Sequence, residues 1–308
     1  MTEERLLDLT VGIPGLRLDQ FVAVAVPDLS RTEAQRLIKA GRVWVNERPV
    51  KSAYHVSIGD RVQVAVPAPP PRSVKPEAIP LHVLYEDADL VAVDKPAGMV
   101  VHPAHGNTSG TLVNAALSRW PEMRRVTGEE RAGIVHRLDK DTSGVIVLAK
   151  TPLALKSLQE QFKARTVRKR YLALVDGIPS SSTGIISAPI GRDPRQRKRM
   201  AVTRSGRPSE TRYHLIEDLK SHALLSVEPL TGRTHQIRVH LAWLGYPVTG
   251  DSLYGHRRPT LNISRPFLHA AELQVDSPST GVRLCFVAPL PPELEEVLSV
   301  LRYAYRGS

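Results

Sequence analysis

The chain of 308 residues is 42% hydrophobic and carries 42 Lys and Arg against 31 Asp and Glu, for a net charge of +11 and a pI of ≈ 9.9. A chain of this length holds one large domain and a small one, and so basic a balance points to an anionic partner, with solubility charge as the plain alternative. No apolar run approaches the roughly 20 residues of a spanning helix and no basic amphipathic helix stands out, so nucleic acid is favoured over a membrane.

Met1-Thr2-Glu3-Glu4-Arg5 opens polar, without the apolar centre of a signal segment. The single cysteine, Cys285, sits in the apolar run Leu284-Cys285-Phe286-Val287; it can form no intrachain disulfide and is expected as a small buried hydrophobe. A cytoplasmic location is expected.

Residues 1–66 are predicted as a small α/β domain. A helix over Leu18 to Val26 stops at Pro27, and Ser30-Arg31-Thr32-Glu33 forms a capping box for a second helix that runs to Gly41. Ala34, Leu37 and Ile38 face inward at helical spacing, while Arg31, Gln35, Arg36 and Lys39 share the opposite face. Such a row can lie along RNA phosphates or be a solvated helix face. Strands are predicted at Val43 to Val45 and Asp60 to Val66, with a turn at Asn46-Glu47-Arg48-Pro49. The order of Arg17-Leu18-Asp19, Ser30 to Ala34, Leu37 to Val43 and Val45-Asn46 resembles the small RNA-binding fold first seen in a ribosomal protein of the small subunit. That resemblance implies that Arg31, Arg36 and Lys39 meet RNA.

Residues 67–80 are rich in proline and are expected as an extended linker. The rest, 81–308, is predicted as one large domain. Strands are expected at Leu81 to Tyr85 and Leu90 to Val93 around an acidic turn, and helices at Thr111 to Trp120 and Leu153 to Lys163, with Pro121 to Arg131 as a loop. In the loop after the second strand, Lys95 can touch RNA phosphate or pair with a core acid; the residues alone leave both open. Five cations, Lys163, Arg165, Arg168, Lys169 and Arg170, precede a strand over Tyr171 to Val175. Gly191 to Arg207 is the most basic segment and, broken by glycine and proline, should be an exposed loop or hairpin. Strands at Ser209 to Ile216 and Ala223 to Pro229 follow. The turn Thr231 to Thr234 then feeds a helix ending at Gly245, with Ile237, Leu241 and Leu244 buried and Arg238 at the edge of that stripe. A last helix packs through Leu294, Val297, Leu298 and Leu301.

The stretch from Ile134 to Lys150 is the one that can carry chemistry. Ile134-Val135 and Val145 to Ala149 read as strands, and between them a charged loop surrounds Asp139 and Asp141 with Arg137, Lys140 and Lys150. Nearby cations keep a carboxylate ionised in a partly dry site, so an Asp here can be nucleophile or base. The bland alternative is a polar hairpin whose acids cap their own backbone.

His136-Arg137-Leu138-Asp139 with Thr142-Ser143-Gly144 resembles the active-site signature of the Rlu-type pseudouridine synthases that modify ribosomal and transfer RNA. Glu86-Asp87 through Lys95-Pro96-Ala97-Gly98 to His102-Pro103, Lys169-Arg170-Tyr171 and Gly232 to His240 extend the resemblance over most of the chain from about Leu81, towards the D-like branch that acts on large-subunit ribosomal RNA. It implies an α+β fold, a mixed and mostly antiparallel sheet with flanking helices and a central RNA cleft. It also implies Asp139 as the catalytic carboxylate, Tyr171 stacked on the target base and Arg238 orienting Asp139. Arg137, Lys95, Arg168, Lys169 and Arg197 are expected to contact RNA.

Other chemistries have little support. No Gly-rich phosphate loop ending in Lys-Ser/Thr occurs, and His235 and His240, five apart, share one face of neither a helix nor a strand. Thr142-Ser143-Gly144 lacks the strand-elbow context of a nucleophilic serine. Isomerising a uridine exchanges nothing with solvent, so no cofactor, metal or nucleotide is expected. The expected partner is RNA, ribosomal and reached within pre-ribosomal particles, bound by a monomer. Competing readings are an RNA-binding assembly factor that has lost catalysis, which would show a broken Asp139, Tyr171 or Arg238, and a synthase acting on transfer RNA.

Overall fold

The computed structural model describes residues 4–67, 74–103, 107–127, 131–196 and 199–306, and divides into two compact units, Met1–Arg72 and Ser73–Ser308. In the first unit, β1 (Arg5–Thr10), β2 (Val43–Val45), β3 (Arg48–Pro49) and β4 (Arg61–Val66) form an antiparallel sheet in the order β1-β4-β2-β3. Helices α1 (Leu18–Ala25) and α2 (Arg31–Lys39) bury Leu18, Val22, Ala34 and Leu37 against Val43, Val62 and Val64 of that sheet. The capping box at Ser30 is formed in both directions: Ser30 Oγ accepts from the Glu33 N–H, and Glu33 Oε2 accepts from the Ser30 N–H at 2.8 Å. Strand β1 gives no strong local signal, because it is a sheet edge on which only Leu7 and Leu9 pack inward.

The second unit is built on a nine-stranded sheet. Its strands are β5 (His82–Glu86), β6 (Leu90–Lys95), β7 (Ser143–Ala149), β8 (Arg168–Asp176), β9 (Thr183–Ser187), β12 (Glu210–Asp218), β13 (His222–Pro229), β14 (Leu268–Asp276) and β15 (Arg283–Val287). They run in the order β5-β6-β7-β14-β8-β13-β12-β9, with β15 on β14; all named pairings are antiparallel except β7 with β14. The sheet is therefore mixed and mostly antiparallel. Strand β7 is buried at every position, because helices cover both faces. Along β6 the side chains alternate: Val91 and Val93 pack with α3 (Leu112–Arg119), whereas Leu90 and Ala92 pack with α5 (Pro152–Ala164). Helices α6 (Gln236–Trp243) and α7 (Pro292–Arg306) cover the other half of the sheet through Ile237 and Leu241, and through Leu294 and Leu298. The basic segment is a hairpin of β10 (Ile190–Arg192) and β11 (Met200–Val202).

Four expectations need correction. Ile134-Val135 is not a strand; Ile134 makes one isolated bridge to Leu148. The stretch after α3 is not all loop, since Pro121–Met123 is a 3-10 turn and α4 covers Arg124–Thr127. Cys285 is exposed on β15 rather than buried, because its neighbours Leu284 and Phe286 take the inward side of the strand. Residues 74–80 are held by the second unit: Val74 is buried in its core, Asn114 Nδ2 donates to the Lys75 carbonyl at 2.8 Å, and the Glu77 N–H donates to the Asn114 carbonyl at 3.0 Å.

Candidate active site

The charged loop enters the centre of the sheet where β7 and β14 run parallel, with Ser143 opposite His269 and Gly144 opposite Ala270. Gly144 has φ +114°, and a Cβ there would run into the Ala270 carbonyl, so only glycine allows this approach. Two buried cations fix the loop from beneath through its carbonyls. Lys95, 0% exposed, donates from Nζ to the carbonyls of Pro96 (2.8 Å), Met99 (3.0 Å) and Lys140 (3.1 Å). Arg265 donates to the Asp141 carbonyl at 3.2 Å and to Glu293 at 2.9 Å. Lys95 is thus a structural clamp, neither an RNA contact nor the partner of a core acid, and its burial pushes the ammonium down to about 8. Lys150 also lies elsewhere, bonded to Glu86 Oε1 and the Asp87 carbonyl, both at 2.8 Å.

Held this way, Asp139 stands on the wall of a cleft of about 1410 Å³ that Arg137, Arg168, Lys169, Tyr171 and Arg238 also line. Arg238 Nη1 donates to Asp139 Oδ2 at 3.2 Å. The rest of the guanidinium grips a second acid, Asp251, with Nε to Oδ2 at 2.6 Å and Nη2 to Oδ1 at 2.8 Å. The Asp251 side chain is 0% exposed and its Oδ1 also accepts the N–H groups of Leu253 (2.9 Å) and Tyr254 (3.0 Å). Burial works against the charge on both partners, yet the mutual bonds win: the Arg238 guanidinium is held above its ordinary range and the Asp251 carboxyl below its own. Nothing local in Gly250-Asp251-Ser252-Leu253-Tyr254-Gly255 announces this role; an acid between glycines reads as a turn.

Tyr171 is half-buried on β8, two residues before its buried run begins at Ala173, and packs against both the core that holds Leu138 and the core that holds Ile237. Burial, and then the charge of Asp139, pushes its phenol up, so the hydroxyl stays protonated. Lys169 lowers to about 8 through burial and then the charge of Arg165, and remains largely cationic at neutral pH. His136 belongs to the motif but is structural: its Nε2 accepts the Val147 N–H at 3.1 Å and its ring stacks on Phe162 at 4.8 Å. The Ser143 hydroxyl does meet a histidine, His269 Nδ1 at 2.9 Å, but both are buried and His269 Nε2 donates to the Ala288 carbonyl, so the pair is core structure. On the first unit Arg36 and Lys39 are exposed, while Arg31 donates from Nε to the buried Asp19 at 3.2 Å. Arg197 lies outside the described residues. Among the described residues no group of three His, Cys, Asp or Glu could hold a metal ion, and no helix is long and apolar enough to cross a membrane.

The family model for RNA pseudouridylate synthase matches residues 89–243, the span that holds the Asp139 loop, Tyr171 and Arg238. The chain belongs to the RNA pseudouridylate synthase family. It is an RNA pseudouridine synthase that carries an S4 domain over residues 16–62. The synthase is similar to an uncharacterized RNA pseudouridine synthase of Chloroflexus aurantiacus, 51% identical over 300 residues, covering 97% of this chain and 94% of that one. It is also similar to ribosomal large subunit pseudouridine synthase D of Nitrosomonas europaea, 42% identical over 309 residues, with 97% and 89% covered. Among solved structures, human RNA pseudouridylate synthase domain containing 1 aligns with a TM-score of 0.57 and 29% identity, covering 73% of this chain and 96% of that one. For a pseudouridine synthase the cleft has the right character: cationic walls for a phosphate backbone around the Asp139 carboxylate and the Tyr171 ring.

Proposed function

We propose that this synthase isomerises uridines of large-subunit ribosomal RNA, with Asp139 as the carboxylate that reacts at the sugar. The observation that carries the reading is the 3.2 Å contact from Arg238 to Asp139 on a loop clamped by buried cations, within a cleft that also presents Tyr171. Arg238 orients the carboxylate, and Tyr171 offers a protonated, partly buried ring for the target base to stack on, as suits a uracil taken out of its helix. Asp139 either attacks the anomeric carbon or removes a neighbouring sugar proton; both routes need the placement seen here. Arg137, Arg168 and Lys169 on the cleft and Arg36 and Lys39 on the S4 domain bind phosphate. Relatives named for the ribosomal large subunit support the substrate, which the synthase meets, on this reading, within pre-ribosomal particles. A cytoplasmic location accords with a chain whose one cysteine has no intrachain partner. The test is to incubate the protein, and Asp139→Asn beside it, with unmodified large-subunit RNA and map new pseudouridines. The parent should form them and the variant should not, at equal RNA affinity; product made by Asp139→Asn overturns the assignment.

A further inference from the structure

The hydrogen of one imidazole in the cleft is placed by its neighbours. The Tyr254 oxygen accepts the Met200 N–H at 3.0 Å, and burial pushes the phenol up, so the hydroxyl keeps its own proton. Among the described residues that proton has one acceptor, His235 Nδ1 at 2.8 Å. Nδ1 therefore supplies the lone pair and Nε2 carries the hydrogen. The Tyr254 ring is itself held in place, with the guanidiniums of Arg199 and Arg238 lying 4.9 and 5.1 Å over it.

The Nε2–H stands beside the reacting carboxylate without being bonded to it. Nε2 lies 4.0 Å from Asp139 Oδ2, beyond hydrogen-bond reach, and among the described residues no other acceptor meets it. The side chain is 22% exposed and lines the same cleft as Asp139 and Tyr171. Its backbone sits at φ +57°, a left-handed conformation unusual for a residue with a Cβ and the kind of strain that clusters at working sites. A half-buried donor, aimed by its neighbours and left without a protein acceptor, is completed by an acceptor on the substrate.

The reaction offers that acceptor twice. When the C1′–N1 bond breaks, by either route open to Asp139, its electron pair leaves with N1 and is shared with O2 and O4. The C1′–C5 bond then forms, C5 gives up its hydrogen as a proton, and N1 takes one up through water; no electrons enter or leave overall. A half-turn of the base about the line through N3 and C6 brings C5 to the place of N1 and O4 to the place of O2. A donor beside C1′ thus meets a carbonyl oxygen next to the glycosidic bond before the turn and again after it. We infer that His235 Nε2–H donates to this oxygen, first O2 and then O4, and stabilises the negative charge of the detached uracil. The same N–H disfavours cytosine, whose amino group would take the place of O4 and set donor against donor.

The inference rests on Asp139 as the reacting carboxylate, and the experiment separates the two. RNAs with 2-thiouridine or 4-thiouridine at the target, where sulfur is a poor acceptor, are compared with ordinary RNA in single-turnover reactions of the parent, His235→Asn, His235→Gln and Asp139→Asn. Asn tolerates the left-handed backbone but stops short of the Nε2 position. His235→Asn should therefore react about 10²- to 10³-fold more slowly on ordinary RNA, the usual loss of one such donor, with RNA affinity unchanged. At least one of the two sulfurs should slow it by a smaller factor than it slows the parent, because the bond that sulfur weakens is already gone. His235→Gln carries an amide N–H near the place of Nε2–H and should recover much of the rate and of the response to sulfur. A His235→Asn as fast as the parent, or slow with both sulfur responses unchanged, overturns the role of His235; a merely structural histidine would lose rate in that second way. Turnover by Asp139→Asn would instead sink the reading on which the inference stands.

Discussion

Replacing Arg238 by Ala separates two arrangements that look alike from the active site. If Arg238 served only Asp139, the group abandoned would be a carboxylate 19% exposed that accepts one hydrogen bond of 3.2 Å, and the loss would be about 1 kcal/mol. The structure instead leaves Asp251, 0% exposed and bound through both oxygens, without its countercharge. Stripping one partner from a buried pair costs about 3–5 kcal/mol. Urea melts of Arg238→Ala should therefore show a loss in that range, while Asp139→Asn loses about 1 kcal/mol. The double changes decide the matter. Arg238→Ala with Asp251→Asn should regain most of the loss, because Asn keeps an acceptor for the Leu253 and Tyr254 N–H groups and removes the stranded charge. Arg238→Ala with Asp139→Asn should regain little. A coupling between Arg238 and Asp139 as large as that between Arg238 and Asp251, or an Arg238→Ala loss under about 1 kcal/mol, would refute the argument.

Other expectations are as sharp. Lys95 titrates at about 8 against its ordinary 10.5, so above pH 8 the unfolded chain binds the extra proton and stability rises with pH up to that ordinary value; the cost of the buried charge is fully present below pH 8. The stability of the parent minus that of Lys95→Met should climb between pH 8 and 10 by up to ~3 kcal/mol, and a flat difference would mean that the amine is not desolvated. Tyr171→Phe should retain stacking, and Tyr171→Leu should lose it along with product; equal, near-parent turnover by both would make Tyr171 a packing residue only. Removing Met1 to Pro67 should leave the chemistry intact and make log affinity for RNA fall less steeply with log salt, whereas an unchanged slope would mean that the S4 domain makes no phosphate contacts.

Most of the architecture was legible where local chemistry is strong. The capping box at Ser30 and the glycine that closes the Asp139 loop are short-range signals, and the strands beside them follow from β-branched runs. What escaped is what long-range pairing decides. Strand β14 sits at the centre of the sheet, yet His269-Ala270-Ala271-Glu272 carries residues that favour helix; its strand form comes from β7 on one side and β8 on the other. Ile134-Val135 has strand composition and no partner of matching length. At the site, the order of motifs brings Asp139, Tyr171 and Arg238 together, but Lys95 stays open between RNA phosphate and a core acid because nothing in Asp94-Lys95-Pro96 reveals three carbonyls converging on its amine.

The same limit hides Asp251, and its position bears on how the site can react. A guanidinium meeting one carboxylate face to face would hold both oxygens in a fork, the strongest form of this contact and the one that least leaves an oxygen free. Here the fork is turned on Asp251, so Arg238 is oriented without help from Asp139 and offers it a single N–H at Oδ2. Among the described residues no other side chain donates to the Asp139 carboxylate. On the proposed reading Asp139, positioned through one oxygen, keeps Oδ1 for the sugar, with the loop clamps of Lys95 and Arg265 supplying the rigidity that a second bond would otherwise give. The arrangement requires a second, buried acid, and Asp251 supplies it from a loop outside the motif that carries Asp139.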